Sequence, residues 1–128
     1  MTLLQPATEE EAAALVRSAS APLRLEGGGT RVGLGRAIQT EATLTGRGLT
    51  GITLYEPAEM VIGARAGTPL AEIEAVLAEK SQALAFEPMD HRPLFASTGE
   101  PTIGGVAAAN ISGPRRVFAC AARDSLIG

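Results

Sequence analysis

Two glycine-rich segments hold the residues best suited to chemistry. The first, Gly27-Gly28-Gly29-Thr30, follows the alternating stretch Leu23-Arg24-Leu25-Glu26. Consecutive glycines permit unusual φ/ψ and leave the backbone bare, so several N–H donors can converge on one phosphate. The Thr30 hydroxyl adds a further donor. Taken alone, the triplet reads at least as well as a flexible turn between two strands. It is not a Walker loop, because no Lys-Ser or Lys-Thr follows. Gly-x-Gly-x-x-Gly spacing is also absent over residues 27–33.

The second segment runs from Thr102-Ile103-Gly104-Gly105 through Val106-Ala107-Ala108-Ala109-Asn110 to Ser112-Gly113-Pro114. Gly104-Gly105 at a helix start would present free N–H groups to an anion or a planar ring. The alanines would let helix and ligand approach closely. A close-packed helix under a sheet, with no ligand, accounts for the same residues.

Other reactive side chains are few. His91 sits in a Pro-rich stretch and reads as a surface loop residue. Cys120 reads as a small buried hydrophobe, and as the one cysteine it excludes an internal disulfide framework and fits a reducing compartment. One His with one Cys makes a zinc site improbable. No residue stands out as a general base. Net charge is −3 and no Lys/Arg run forms a nucleic-acid footprint. The start of the chain lacks the basic and apolar regions of a signal peptide, and no apolar run approaches the roughly 20 residues that span a bilayer. The chain reads as soluble and cytoplasmic.

The elements that must position these segments follow from patterning. Thr8-Glu9-Glu10-Glu11 is a capping box opening a helix over 9–19, with Ala12, Leu15, Val16 and Ala19 as its apolar stripe. Residues 23–26 read as a strand, as do 52–55 and 60–66. Residues 34–38 and 42–44 are short strand or loop pieces. Thr68 as N-cap and Pro69 at the first position start a helix over 69–80, with Leu70, Ile73, Val76 and Leu77 inward. Residues 86–102 read as loop, and Asp124-Ser125-Leu126-Ile127-Gly128 as the start of a further strand. That ending suggests a partial chain whose unpartnered apolar surface would drive self-association.

The ordered set of motifs resembles one family. Gly27-Gly28-Gly29-Thr30, Ala64-Arg65-Ala66-Gly67-Thr68-Pro69-Leu70, Thr102-Ile103-Gly104-Gly105, Ser112-Gly113-Pro114-Arg115-Arg116 and Arg123-Asp124 occur in the order of the FAD-binding domain of the vanillyl-alcohol oxidase / p-cresol methylhydroxylase superfamily. Within it, Gly51-Ile52 through Tyr55-Glu56-Pro57, the run from Ala71 to Ala75, and Phe86-Glu87-Pro88 resemble the FAD-binding E subunits of bacterial glycolate oxidases. The resemblance implies an α+β, two-subdomain fold, of which residues 1–56 would be the first subdomain and 57–128 the incomplete start of the second.

The resemblance also implies site roles. Gly27, Gly28, Gly29 and Thr30 would bind the FAD pyrophosphate through backbone N–H groups, with Gly67 beside the cofactor. Thr102, Ile103, Gly104 and Gly105 would line the diphosphate and isoalloxazine region. Asn110, Ser112 and Gly113 would make further flavin contacts, and Asp124 with Leu126 would approach the adenosine end. His91 matches no covalent attachment position, so the flavin would be non-covalent. Glu26 departs from the pattern, because an acid beside a pyrophosphate is unfavourable unless it points away. Arg115-Arg116 reads either as a phosphate partner or as a solvated pair.

Implied partners are a catalytic flavoprotein subunit and an iron–sulfur subunit. Together they would oxidise glycolate to glyoxylate, in the cytoplasm or peripherally at the inner membrane. A non-catalytic docking subunit, or a related enzyme acting on lactate, a sugar or an alcohol, fits the same motifs.

Overall fold

A computed structural model describes residues 1–128. Thr2–Leu4 forms β1, Glu9–Ser18 forms α1, Leu23–Glu26 forms β2 and Ala42–Thr45 forms β3. β3 lies between β1 and β2 and runs parallel to both. Parallel strands cannot be joined by a tight turn, so α1 carries the chain from β1 to β2, and the glycine-rich residues 27–41 carry it from β2 to β3. All three strands point the same way. The chain leaving each carboxyl end therefore gathers on one edge of the sheet: residues 5–6, 27–31 and 46–49.

α1 is capped as the residues require. The Thr8 hydroxyl accepts from the Glu11 N–H at 3.2 Å, and the Glu11 carboxylate accepts from the Ala7 N–H at 2.8 Å. The apolar stripe is less buried than its spacing suggested: Ala12 and Leu15 are half-buried and Val16 is exposed.

Ile52–Glu56 (β4) and Val61–Ala64 (β5) make a separate antiparallel pair, with an irregularity between Ile52 and Leu54. A 3₁₀ turn over Pro57–Glu59 joins them, and Met60 closes it in the left-handed region at φ 55°. Met60 therefore belongs to the turn and not to the strand expected over 60–66. The division expected after Glu56 falls between these paired strands, whereas the two sheets part across residues 46–51. The second sheet is a two-stranded antiparallel pair.

Leu70–Ala78 forms α2, with Ile73 and Leu77 buried and Glu72, Glu74, Glu79 and Lys80 exposed. Thr68 does not cap it. The Thr68 side chain is wholly buried, where its hydroxyl accepts from the Gly51 N–H at 3.0 Å and donates to the Gly51 carbonyl at 3.2 Å. The helix instead begins after Pro69, and the Leu70 N–H donates to the Pro101 carbonyl at 2.8 Å. Residues 65–70 thereby form a spine. On one side the Gly67 N–H donates to the Leu49 carbonyl at 2.7 Å, and on the other the Ile103 N–H donates to the Thr68 carbonyl at 3.0 Å.

The stretch 86–102 is not all loop, because Arg92–Phe95 makes a helical turn, α3. Ile103–Ala109 forms α4 and Arg116–Ala119 forms α5. Val106 of α4 packs with Phe86 and Ala122 in the main apolar cluster, flanked by Leu70 and Leu84. The strand expected at 124–128 is replaced by a 3₁₀ turn over Ala122–Ser125, where the Asp124 carboxylate accepts from the Ala121 N–H at 2.9 Å. Cys120 is exposed, contrary to its expected burial. Leu34 to Arg36 form a bend and residues 37–38 have no regular structure, so no strand forms there.

The fold is an α+β arrangement in which one hydroxyl ties the start of the second half to the turn after β3. Replacing Thr68 with Val keeps the shape and leaves both polar groups of Gly51 without that partner. We expect urea denaturation to show a loss of about 1–3 kcal/mol, with Thr68→Ser restoring most of it. An unchanged midpoint in Thr68→Val would contradict this role.

Candidate functional site

A cleft of about 690 Å³ opens at the carboxyl edge of the parallel sheet. Ligands in open α/β sheets bind at this edge, where loops leaving parallel strands converge. The cleft is lined by Gly27, Gly28, Gly29 and Thr30 after β2, and by Gly46 and Leu49 after β3. Its far wall is Ala66, Thr102 and one face of α4, through Gly104, Gly105, Ala108 and Ala109. The two segments singled out in the sequence, about 75 residues apart, thus face each other.

The glycine loop is held from behind. Arg47 donates from Nε to the Gly27 carbonyl at 3.2 Å and from Nη2 to the Gly28 carbonyl at 2.9 Å. The Ser97 hydroxyl donates to the Thr30 carbonyl at 3.2 Å. The N–H groups of Gly28, Gly29 and Thr30 have no acceptor within the protein. Gly29 lies at φ 77°, the left-handed geometry that turns successive amides toward one point. Thr30 itself is buried.

The glycines answer a second demand that sequence reasoning missed. A Cβ on Gly28 would overlap the Glu100 carbonyl, and one on Gly27 would overlap the Thr102 hydroxyl. Residues 99–102 pack directly on the back of the loop. Gly104 is required in the same way, by the Ala66 backbone and Cβ.

α4 contributes differently from expectation. The Ile103 N–H donates to the Thr68 carbonyl, the Gly104 N–H to the Ala66 carbonyl at 2.8 Å and the Gly105 N–H to the Thr102 hydroxyl at 3.2 Å. None of these first amides is free for an anion. The helix offers the cleft a smooth wall of small residues.

Charge in the cleft is net positive, from Arg24, Arg31 and Arg36 against Glu26. Glu26 is balanced by Arg24 at 3.7 Å and Arg47 at 3.8 Å, which resolves the apparent conflict of an acid beside an anion site. Arg31 was not anticipated, although it directly follows Thr30. It donates from Nη2 to the Met89 carbonyl at 3.3 Å, and its Nε is buried without a hydrogen-bond partner. Burial lowers the pKa of this guanidinium from its ordinary value, with Asp90 acting in the opposite sense. A desolvated cation lacking a close counter-ion, beside three unpaired amides, suits a phosphate group.

His91 is buried, not a surface loop residue. Its ring stacks on Phe95 at 5.9 Å, and Nδ1 lies 3.0 Å from the Met89 carbonyl. Phe95 in turn packs against Gly33, so the pair braces the glycine loop from below. Both ring partners are near in sequence, two and four residues away, and the helical turn Arg92–Phe95 that brings Phe95 over the ring falls in a stretch expected to be loop.

The remaining predicted positions gather elsewhere. The Asn110 Oδ1 accepts from the Arg123 N–H at 3.0 Å, and the Ser112 hydroxyl accepts from the Ala122 N–H at 3.2 Å. The Gly113 N–H donates to the Glu87 carbonyl at 2.7 Å. With Asp124 and the exposed Leu126, these residues surround the final turn and do not line the cleft. Gly67 and Ile103 also lie outside the lining. Arg115 pairs with Glu87. No group of three or more His, Cys, Asp or Glu comes together to hold a metal, and no helix is long and apolar enough to cross a membrane.

The packing demand on Gly28 is testable by itself. Gly28→Ala should lose more than about 2 kcal/mol of stability, since its Cβ meets unyielding backbone. Gly46→Ala, whose Cβ would meet nothing nearer than the Glu26 carbonyl at 4.0 Å, should stay within about 0.5 kcal/mol of the parent. Equal thermal midpoints for the two variants would show that residues 99–102 do not pack as described.

The profile of the FAD-binding domain family matches residues 2–128. Among characterised proteins, glycolate oxidase subunit GlcE of Escherichia coli (strain K12) is 41% identical over 107 residues, covering 84% of this chain and 29% of that subunit. The chain thus spans under a third of the length of this relative. No solved structure gives a significant match. A match across nearly every residue, with the glycine loop and α4 on facing walls of one cleft, shows that the chain belongs to the FAD-binding domain family, with FAD as its cofactor.

Proposed function

We propose that the cleft at the carboxyl edge of the parallel sheet receives the pyrophosphate of FAD, in a flavin subunit of a glycolate oxidase-type enzyme. The observation carrying this reading is the row of three unpaired amides at Gly28, Gly29 and Thr30, with the Arg31 guanidinium beside them. The amides orient the phosphate oxygens, and Arg31 supplies the neutralising charge. The smooth wall of Gly104, Gly105, Ala108 and Ala109 admits a flat or extended ligand without steric conflict. Bound FAD would supply the two-electron acceptor, and the residues of this chain bind and orient it. In this reading the flavin is held non-covalently, with His91 and Cys120 both outside the cleft lining.

The likeness to the Escherichia coli glycolate oxidase subunit supports glycolate as the substrate and a multi-subunit enzyme as the setting. In this reading, a catalytic flavoprotein subunit and an iron–sulfur subunit are the partners. The site is cytoplasmic, with any membrane attachment made through the assembly. Val117, Phe118 and Ile127 are strongly exposed apolar residues near the final turn. In this reading the isolated chain self-associates through exposed apolar residues of this kind.

Titration calorimetry on the purified protein tests the pyrophosphate reading. FAD and ADP should bind and riboflavin should bind far more weakly, because the site recognises phosphate. Arg31→Ala should weaken ADP at least tenfold, the loss of one charge-assisted contact worth about 1.5–3 kcal/mol. Riboflavin binding as tight as FAD would overturn the assignment. Sedimentation of the same preparation should show association, and a monomer at high concentration would contradict the apolar contact surface.

A further inference from the structure

We propose that Arg47 is the positioning residue of the anion site: it fixes the direction of the loop amides without touching the ligand. This rests on the pyrophosphate reading above. Every peptide bond in the chain is trans, so the N–H of each residue points opposite to the carbonyl before it. Arg47 binds the carbonyls of Gly27 and Gly28 through two different nitrogens, at 3.2 and 2.9 Å. The N–H groups of Gly28 and Gly29 must therefore point to the other side. The Thr45 hydroxyl reinforces the arrangement by donating to the Gly27 carbonyl at 3.3 Å, and it accepts from the Arg47 N–H at the same distance.

This clamp answers a particular weakness of the loop. A glycine triplet has little intrinsic preference for one peptide orientation, and its amides would otherwise sample several directions. Only a planar guanidinium offers two donors in a fixed fork to two successive carbonyls. Glu26, 3.8 Å from Nη2, steadies the guanidinium and offsets its charge. Arg47 thus organises the site through hydrogen-bond geometry more than through its field. A lysine there would keep the charge and lose the fork.

The experiment follows inorganic pyrophosphate and ADP binding by calorimetry, with amide chemical shifts of Gly28, Gly29 and Thr30 read by NMR. The parent protein should bind both anions and move all three amide signals. Arg47→Lys and Arg47→Gln should each weaken both ligands at least tenfold and abolish the selective shifts. The thermal midpoint of Arg47→Lys should stay close to that of the parent. A merely charged role predicts that Arg47→Lys binds like the parent, and that result overturns the inference. So does parent-like binding by Arg47→Gln. Failure of the parent to bind pyrophosphate or ADP at all overturns the pyrophosphate reading itself, and the positioning role with it. Within the parent alone, pyrophosphate should slow hydrogen exchange at Gly28 and Gly29. Unchanged exchange in the ligand-bound protein would refute the amide orientation without any substitution.

Discussion

Backbone packed against backbone, with no side chain between, is the constraint on which the site depends. Gly27 and Gly28 lie so close to residues 99–102 that a methyl group on either would collide with the Glu100 carbonyl or the Thr102 hydroxyl. Gly67 is pressed in the same way against the Gly46 carbonyl, and Gly104 against Ala66. These contacts draw the loop after β2, the turn after β3 and the start of α4 into one small volume. Because the strands are parallel, their carboxyl ends were already on one side. The glycines let distant segments close on that edge and leave a cleft between them.

Polar groups then divide the labour. The carbonyls of the glycine loop are taken by Arg47 and Ser97, while the amides of Gly28, Gly29 and Thr30 remain free. On the opposite wall every early amide of α4 is already bonded within the protein. One wall therefore supplies donors and the other supplies room. Arg31 adds a cation whose burial leaves it short of partners, in contrast to Arg92, whose side-chain hydrogen bonds to Asp90 satisfy it.

Much of this was legible in the residues, and the limits have physical causes. The capping box at Thr8 and the apolar face of α2 depend on neighbours in sequence, and both formed as expected. The glycine triplet and the small residues of α4, singled out by composition, do come to line one cleft. Thr68 was misread because a threonine before Pro-Leu has the local signature of a cap, whereas its true partner, Gly51, is 17 residues away. Arg47 carries no local signal, because it is set by carbonyls 19 and 20 residues distant, whereas His91 was misread because the helical turn that stacks Phe95 on it was taken for loop. The free amides expected at Gly104 and Gly105 were lost to acceptors that only tertiary contact supplies. Asn110, Ser112 and Asp124 bond backbone amides around the final turn, an arrangement of neighbours that sequence order alone does not reveal.

In the proposed function the pyrophosphate of FAD sits on the amides of the glycine loop. A crystal structure of the protein with FAD bound tests it most directly. Phosphate oxygens should lie within about 3 Å of the Gly28, Gly29 and Thr30 nitrogens, with the Arg31 guanidinium beside them and the Arg47 bonds to Gly27 and Gly28 intact. A pyrophosphate seated instead around Asn110, Ser112 and Asp124, with the glycine-loop amides facing only solvent, would contradict it.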